Sequence, residues 1–186
     1  MRTPFRSSLS VAFALALGAV SCSAPGSSDR ALGAGELPPP VPVENFTILA
    51  PGFAGSAQPG NDAFAAMHEA GYVAVLNLRT AAENEGRGEE QAASDAGLTY
   101  VGLPLSGSAI SLADGVRFGN VLATLPPGPV LIHCGSGNRV GAAWALWRAV
   151  EEGLTPDQAE AEARRAGVTS DALAARVRDQ VARAAD

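Results

Sequence analysis

The sequence contains no lysine: all 13 basic residues are arginine, set against 19 acidic residues and 2 histidines, for a formal charge of −6. No basic block exists to displace the counterions of a phosphate backbone, which excludes a generic nucleic-acid binder. Aromatic residues are scarce, at 5%, so a base-stacking surface is excluded as well. Two cysteines are too few for a disulfide framework or a four-thiolate zinc site. No group of His, Cys and carboxylates has metal-ligand spacing, and neither a metal nor another cofactor is expected. What remains, 47% hydrophobic and 17% charged residues in a chain of 186, suits one folded domain with a tail.

The tail is at the start. Arg2 and Arg6 precede Leu9 to Val20, an apolar stretch of 12 residues interrupted only by Ser10 and Gly18. It falls short of the roughly 20 residues that span a bilayer and fits the apolar region of a secretory signal. It ends in Ala19-Val20-Ser21-Cys22, which resembles the lipobox of bacterial lipoproteins, with Ala19 where that motif usually carries Leu. The preferred reading is a signal over residues 1–21 and lipidation at Cys22, giving an exported lipoprotein that faces the periplasm or cell exterior. Its only contact with the membrane would be that lipid. Ordinary cleavage near Ser21 or Ala24, releasing a soluble protein, is the alternative. Residues 22–44 are rich in Ser, Gly and Pro, including Pro38-Pro39-Pro40, and read as a flexible tether.

Residues 45–186 alternate strand and helix patterns. Phe46 to Leu49 is a short apolar run. Asn61 is placed to cap a helix to Ala70, stopped by Gly71. Val73 to Leu78 reads as a strand buried on both faces. A helix over Glu89 to Ala96 ends at Gly97, and a strand runs from Tyr100 to Leu105. Ser111 and Asp114 form a capping box that opens a helix to Leu125. Pro129 to His133 is a strand, Arg139 to Glu152 an apolar helix, and Thr155-Pro156 opens another helix. A last helix spans about Ser170 to Ala184. This alternation predicts an α/β fold, a mostly parallel sheet flanked by helices.

The segment that carries chemistry is Val130-Leu-Ile-His-Cys-Gly-Ser-Gly-Asn-Arg-Val-Gly141. A strand ending at His133 delivers Cys134 to the carboxyl edge of the sheet, where open α/β folds bind ligands. Gly135 and Gly137 permit a loop of inward-facing N–H groups, with Ser136 and Asn138 between and after them. The following helix adds its positive end, and Arg139 a planar fork of donors. Donors and positive charge around Cys134 favour a nucleophilic thiolate, and the same ring would stabilise charge on a bound tetrahedral anion. The motif resembles that of the cysteine-phosphatase and rhodanese superfamily. More narrowly, residues 45–150 resemble the phosphatase-like domain of beta-lactamase-hydrolase-like proteins, through Gln58-Pro59, Asn77-Leu78-Arg79, Leu103-Pro104 and the loop from His133 to Arg139. That resemblance implies a dual-specificity-phosphatase-like fold, with Cys134 as nucleophile and Arg139 as anion ligand.

Which group is transferred turns on two details. Arg139 follows Cys134 after four residues, whereas the familiar protein phosphatases place five between them; the shorter loop is the rhodanese form. The segment Leu105 to Ser111 has no carboxylate to protonate a leaving oxygen, and Asp114 belongs to the capping box. Sulfur transfer needs no such proton. His133 before Cys134 is the phosphatase spelling, an imidazole able to hydrogen-bond the loop. Sulfur transfer through a Cys134 persulfide is preferred narrowly. Phosphomonoester hydrolysis through a phosphocysteine is the alternative, and an inactive anion- or partner-binding module the third reading. The substrate is accordingly a small anion, phosphate or persulfide in kind.

Around this centre the roles are more open. Arg79, at the end of a strand, either binds the anion or pairs with Glu83 or Glu85. Gln58 lines the pocket or shapes a turn with Pro59. His68 reads as a surface residue, and Trp144 and Trp147 as core. The glycines from 135 to 141 also resemble a dinucleotide loop, but their spacing is wrong and no acid follows a second strand about 20 residues on.

Overall fold

A computed structural model describes residues 43–185. The expected signal, the lipidation site Cys22 and nearly all of the tether lie outside the described residues. The tether's last two residues are already docked: Val43 packs on the core, and the Glu44 carbonyl accepts the Ala57 N–H at 2.9 Å.

The elements in chain order are β1 (Thr47–Ala50), β2 (Phe53–Ser56), α1 (Ala63–Glu69), β3 (Ala74–Asn77), α2 (Ala81–Asn84) and α3 (Glu89–Asp95). There follow β4 (Thr99–Gly102), α4 (Leu112–Leu122), β5 (Val130–His133), α5 (Asn138–Glu152), α6 (Pro156–Arg165) and α7 (Asp171–Ala185). The five strands form one sheet in the order β1-β2-β5-β3-β4. β1 runs antiparallel to β2, and every other neighbouring pair is parallel. The fold is thus the expected mostly parallel sheet between helices.

Side-chain alternation along the central strands divides the core in two. Val130 and Ile132 of β5, with Ala74 and Leu76 of β3, face α4, α5, α6 and α7. Leu131 and Val75 face the other way, against Phe64 and Met67 of α1 and Ala93 of α3. Each fully buried Leu or Ile contributes about 2 kcal/mol through its removal from water. Trp144 packs on Phe53 and Phe118, with ring centroids 5.9 and 6.5 Å apart, and on Trp147 at 4.9 Å. Trp144 is core, as expected, and Trp147 packs half-buried against it.

Two elements escaped the sequence pattern. β2 reads Phe-Ala-Gly-Ser, with one good strand former; its partners β1 and β5 hold it extended. Its small residues have a purpose visible only in three dimensions. A Cβ on Gly55 would stand 3.0 Å from Val140 Cγ1, so glycine lets α5 lie directly against the sheet. α2 is a single turn, held by a capping box in which Thr80 N and Oγ1 both donate to Glu83 Oε2 at 2.8 Å. At α1 the expected cap is displaced. Asp62 takes the cap position without a side-chain bond, and Asn61 Nδ2 donates to the Arg87 carbonyl at 2.7 Å. The capping boxes Ser111–Asp114 and Thr155–Gln158 both form.

Candidate active site

β5 is the middle strand, so Cys134 lies just past the carboxyl end of the sheet's centre, 1% exposed. Gly137 adopts φ 86°, a left-handed conformation open to glycine at little cost. That turn carries its N–H back to Cys134 Sγ at 3.1 Å and starts α5 at Asn138. Gly135 does not share this conformation; its backbone carbonyl instead accepts the Gln58 N–H at 3.4 Å. Of the two glycines expected to curl the loop, one does so. The loop is anchored outside as well: Asn45 Nδ2 donates to the Ser136 carbonyl at 3.0 Å.

Arg139 approaches the loop from the first turn of α5, its Nη2 about 3.6 Å from where a Gly135 Cβ would be. Its fork is not vacant. Nη2 donates to Glu83 Oε1 at 2.6 Å and Nη1 to Glu83 Oε2 at 2.8 Å, a two-pronged carboxylate contact. Nη1 also reaches the Leu105 carbonyl at 3.0 Å. The paired bonds from Arg139, outweighing desolvation, hold the Glu83 carboxyl down to about 2. The same bonds from Glu83, and then the neighbouring Cys134 sulfur, push the Arg139 guanidinium up. The pairing expected between Arg79 and Glu83 is present, Arg79 Nε lying 4.0 Å from Glu83 Oε1, but the shorter two-pronged contact to the same carboxylate comes from Arg139, which the sequence assigned to the anion. Glu83, held ionised by this contact, orients the guanidinium.

A depressed carboxyl stabilises the fold above its unfolded-state value and loses that contribution as pH falls toward its folded one. Thermal melts of the protein should therefore lose stability between about pH 4.5 and 2 through Glu83. Glu83→Gln should flatten that part of the profile, leaving the share due to Glu162, whose carboxyl is also held near 2 by Arg165 and Arg148. Superimposable acid limbs would contradict the clamp.

Behind the loop lies a second network. Glu89, 3% exposed at the start of α3, joins the ends of three strands. Its Oε1 lies 2.6 Å from His133 Nε2 on β5 and accepts from Asn77 Nδ2 on β3 at 3.2 Å. Its Oε2 accepts from Gln58 Nε2, just beyond β2, at 2.8 Å. Burial would raise the Glu89 carboxyl, but the contacts with His133, Gln58 and Arg79 prevail and hold it below its ordinary value. His133 thus turns its Nε2 edge to Glu89, and its Nδ1 has no hydrogen-bond partner among the described residues; the expected bond to the loop backbone is not made. Asn77 also donates to the Tyr100 hydroxyl at 2.8 Å, and its Oδ1 accepts the Arg79 N–H at 2.7 Å. Arg79 donates to Gln58 Oε1 and, at 2.6 Å, to the Glu83 carbonyl. Arg79 and Gln58 thus brace the site wall in this structure. His68 is exposed on α1, as expected.

Two openings flank the site. One, about 600 Å³, lies under α2 and α3 and is lined by Arg79, Asn84, Glu89 and Tyr100. The other, about 450 Å³, is lined by Ser136, Asn138 and Arg139 of the loop, by Gly107 and Ser108, and by the start of α7. The smaller one is the opening that the cysteine loop lines, through Ser136, Asn138 and Arg139; the Cys134 side chain lies beneath that lining. No carboxylate lines it. Asp114 is occupied in its capping box, with Oδ2 accepting from Ser111 N at 3.0 Å. Of the carboxylates that organise the site, Glu83 is read from the sequence only as a partner for Arg79, and Glu89 is missed. The Thr-x-x-Glu pattern of Thr80 and Glu83 was a usable signal for the first; nothing local marked the second.

A buried cysteine on a short loop after the middle strand, with an arginine from the next helix beside it, defines a domain with the dual-specificity-phosphatase-like fold. A family model for the phosphatase-like domain of beta-lactamase hydrolase-like protein matches residues 45–151, and the chain belongs to that family. The beta-lactamase hydrolase-like protein of Xylella fastidiosa is 36% identical over 110 residues, which are 57% of this chain and 25% of that protein. The chain thus matches about a quarter of the length of this curated relative. Among solved structures, the core catalytic domain of the PP-IP phosphatase SIW14 from S. cerevisiae superposes with TM-score 0.60 at 20% identity, over 79% of this chain and 88% of that one. TpbA from P. aeruginosa, in complex with pTyr, gives TM-score 0.55 at 21% identity, over 82% and 89%. These likenesses concern the fold.

Proposed function

We propose that the domain hydrolyses phosphomonoesters through a phosphocysteine on Cys134. The observation that carries this reading is the Cys134 sulfur held by the Gly137 N–H at 3.1 Å beside the Arg139 guanidinium, in a phosphatase-family domain. The Cys134 thiolate attacks phosphorus, an S–P bond forms, and the P–O bond to the leaving group breaks with its electron pair on oxygen. Loop amides and Arg139 hold the phosphoryl oxygens and stabilise the charge that spreads over them. Water then attacks phosphorus, the S–P bond breaks, and phosphate leaves as the thiolate is restored. With no carboxylate lining the groove, the leaving oxygen departs unprotonated or takes its proton from water. Aryl phosphates are the favoured class.

A second reading, sulfur transfer, keeps support from that missing acid and from the four-residue spacing of Cys134 and Arg139. In it the thiolate takes the sulfane sulfur of thiosulfate and releases sulfite; an acceptor thiolate then removes the terminal sulfur from the Cys134 persulfide. One experiment separates the two: parallel assays with p-nitrophenyl phosphate and with thiosulfate plus glutathione, followed by mass measurement of the Cys134 peptide. Phosphate release with an unmodified peptide supports the hydrolase. A peptide heavier by one sulfur atom, without phosphate release, overturns it. Phosphate binding without either turnover returns the domain to a binding module.

A further inference from the structure

We propose that Arg176 forms a second anion subsite, so that the preferred substrate carries a further phosphate or carboxylate besides the group that meets Cys134. The inference rests on the reading of this loop as the binding place of an anionic substrate. The groove of about 450 Å³ at the loop has two charged residues in its lining, Arg139 and Arg176, both positive. Arg139 is already matched by the Glu83 carboxylate at 2.6 Å. The uncompensated charge in the groove is therefore that of Arg176. Arg164, Arg165 and Arg178, on the same two helices, pair with Asp171, Glu162 and Asp157 at 2.6 to 3.1 Å, whereas Arg183, unpaired like Arg176 among the described residues, lies in the last turn of α7, outside the groove lining. Arg176 has no ion-pair partner among the described residues, in a chain where acids outnumber bases 19 to 13.

Its position relative to the loop is set by hydrogen bonds and packing. Asn138, in the cysteine loop, accepts from the backbone N–H of Thr169 at 2.9 Å and of Ser170 at 3.0 Å. The loop thus holds the start of α7 at the groove's edge. Ala174 and Val177, on either side of Arg176, are fully buried, and Gln180 Oε1 accepts the Leu112 N–H at 3.3 Å. A helix fixed at three points presents an exposed guanidinium over the opening. A guanidinium is suited to either a phosphate or a carboxylate, and a charge-assisted bond to one is stronger than a neutral bond.

The test is binding, which does not depend on turnover. Calorimetry with the Cys134→Ser protein would compare phenyl phosphate, 3-carboxyphenyl phosphate and 1,3-phenylene bisphosphate. We expect the two compounds with an additional anion to bind about tenfold tighter than phenyl phosphate, as one charge-assisted contact would give. Adding Arg176→Ala should bring their affinities level with phenyl phosphate, and Arg176→Glu should reverse the order. A gain for one compound alone identifies the anion taken. Equal affinities in the parent, or a preference that survives Arg176→Ala, overturns the proposal. Binding preference in a protein whose intact Cys134 form releases no phosphate would sink the hydrolase reading and leave the subsite standing.

Discussion

Cys134→Ser removes turnover of p-nitrophenyl phosphate, with kcat lower by at least about 10⁴-fold, and leaves the protein folded. The sulfur is nucleophilic as an anion; a serine hydroxyl in the same place keeps its proton, because its hydrogen-bond partner among the described residues is the Gly137 N–H, a donor and not a base. His133, the nearest imidazole in sequence, is turned to Glu89, with 2.6 Å between Nε2 and Oε1. The fold survives because the Gly137 N–H that meets Sγ at 3.1 Å can donate to an oxygen as well. The buried hydroxyl therefore has a partner, and a stability change of about 1 kcal/mol or less is expected. Steady-state kinetics and a thermal melt on one preparation check both halves. A Cys134→Ser protein retaining activity within tenfold of the parent would place the nucleophile elsewhere.

Glu89→Ala is expected to be the most destabilising change near the site, by about 3 kcal/mol, since it leaves the buried His133 Nε2 without its partner and opens a gap where a carboxylate joined three strand ends. His133 Nε2, Asn77 Nδ2 and Gln58 Nε2 all converge on this carboxylate. They come from the ends of β5, β3 and beyond β2, so the loss loosens three strands where they support the cysteine loop. In a domain of this size the cost corresponds to a fall in Tm of roughly 10 °C. Glu89→Gln should fall between, because one amide oxygen still accepts from Asn77 while the amide nitrogen opposes the Gln58 donor. Glu89 titrates below its ordinary value, so its contribution is present at neutral pH and declines on acidification. A melt of Glu89→Ala within about 2 °C of the parent would show that this network contributes little.

Strand β5, helix α5 and the loop between them were legible in the sequence because their signals are local. Val130 to His133 is an unbroken buried run, Gly137 allows the turn, and Gly153 ends the helix with φ 67°. The boxes at Ser111 and Thr155 are likewise contained within four residues, and both form. β2 was illegible for the opposite reason: Phe-Ala-Gly-Ser has little strand tendency of its own, and its pairing partners and the face of α5 decide its state.

The same division holds for the site. The amino-acid sequence by itself determined the α/β class, the central place of Cys134 and the closeness of Arg139, because a strand, a glycine turn and a helix start are contiguous in the chain. It also determined that Asp114 is occupied at a helix cap, since a capping box spans four residues. Only the tertiary structure decided that Glu83 grips Arg139 across 56 positions, that Glu89 sits behind His133, and that Arg176 shares the groove with the loop. A carboxylate's role depends on which charge folding brings within about 3 Å of it, and separation along the chain carries no record of that distance.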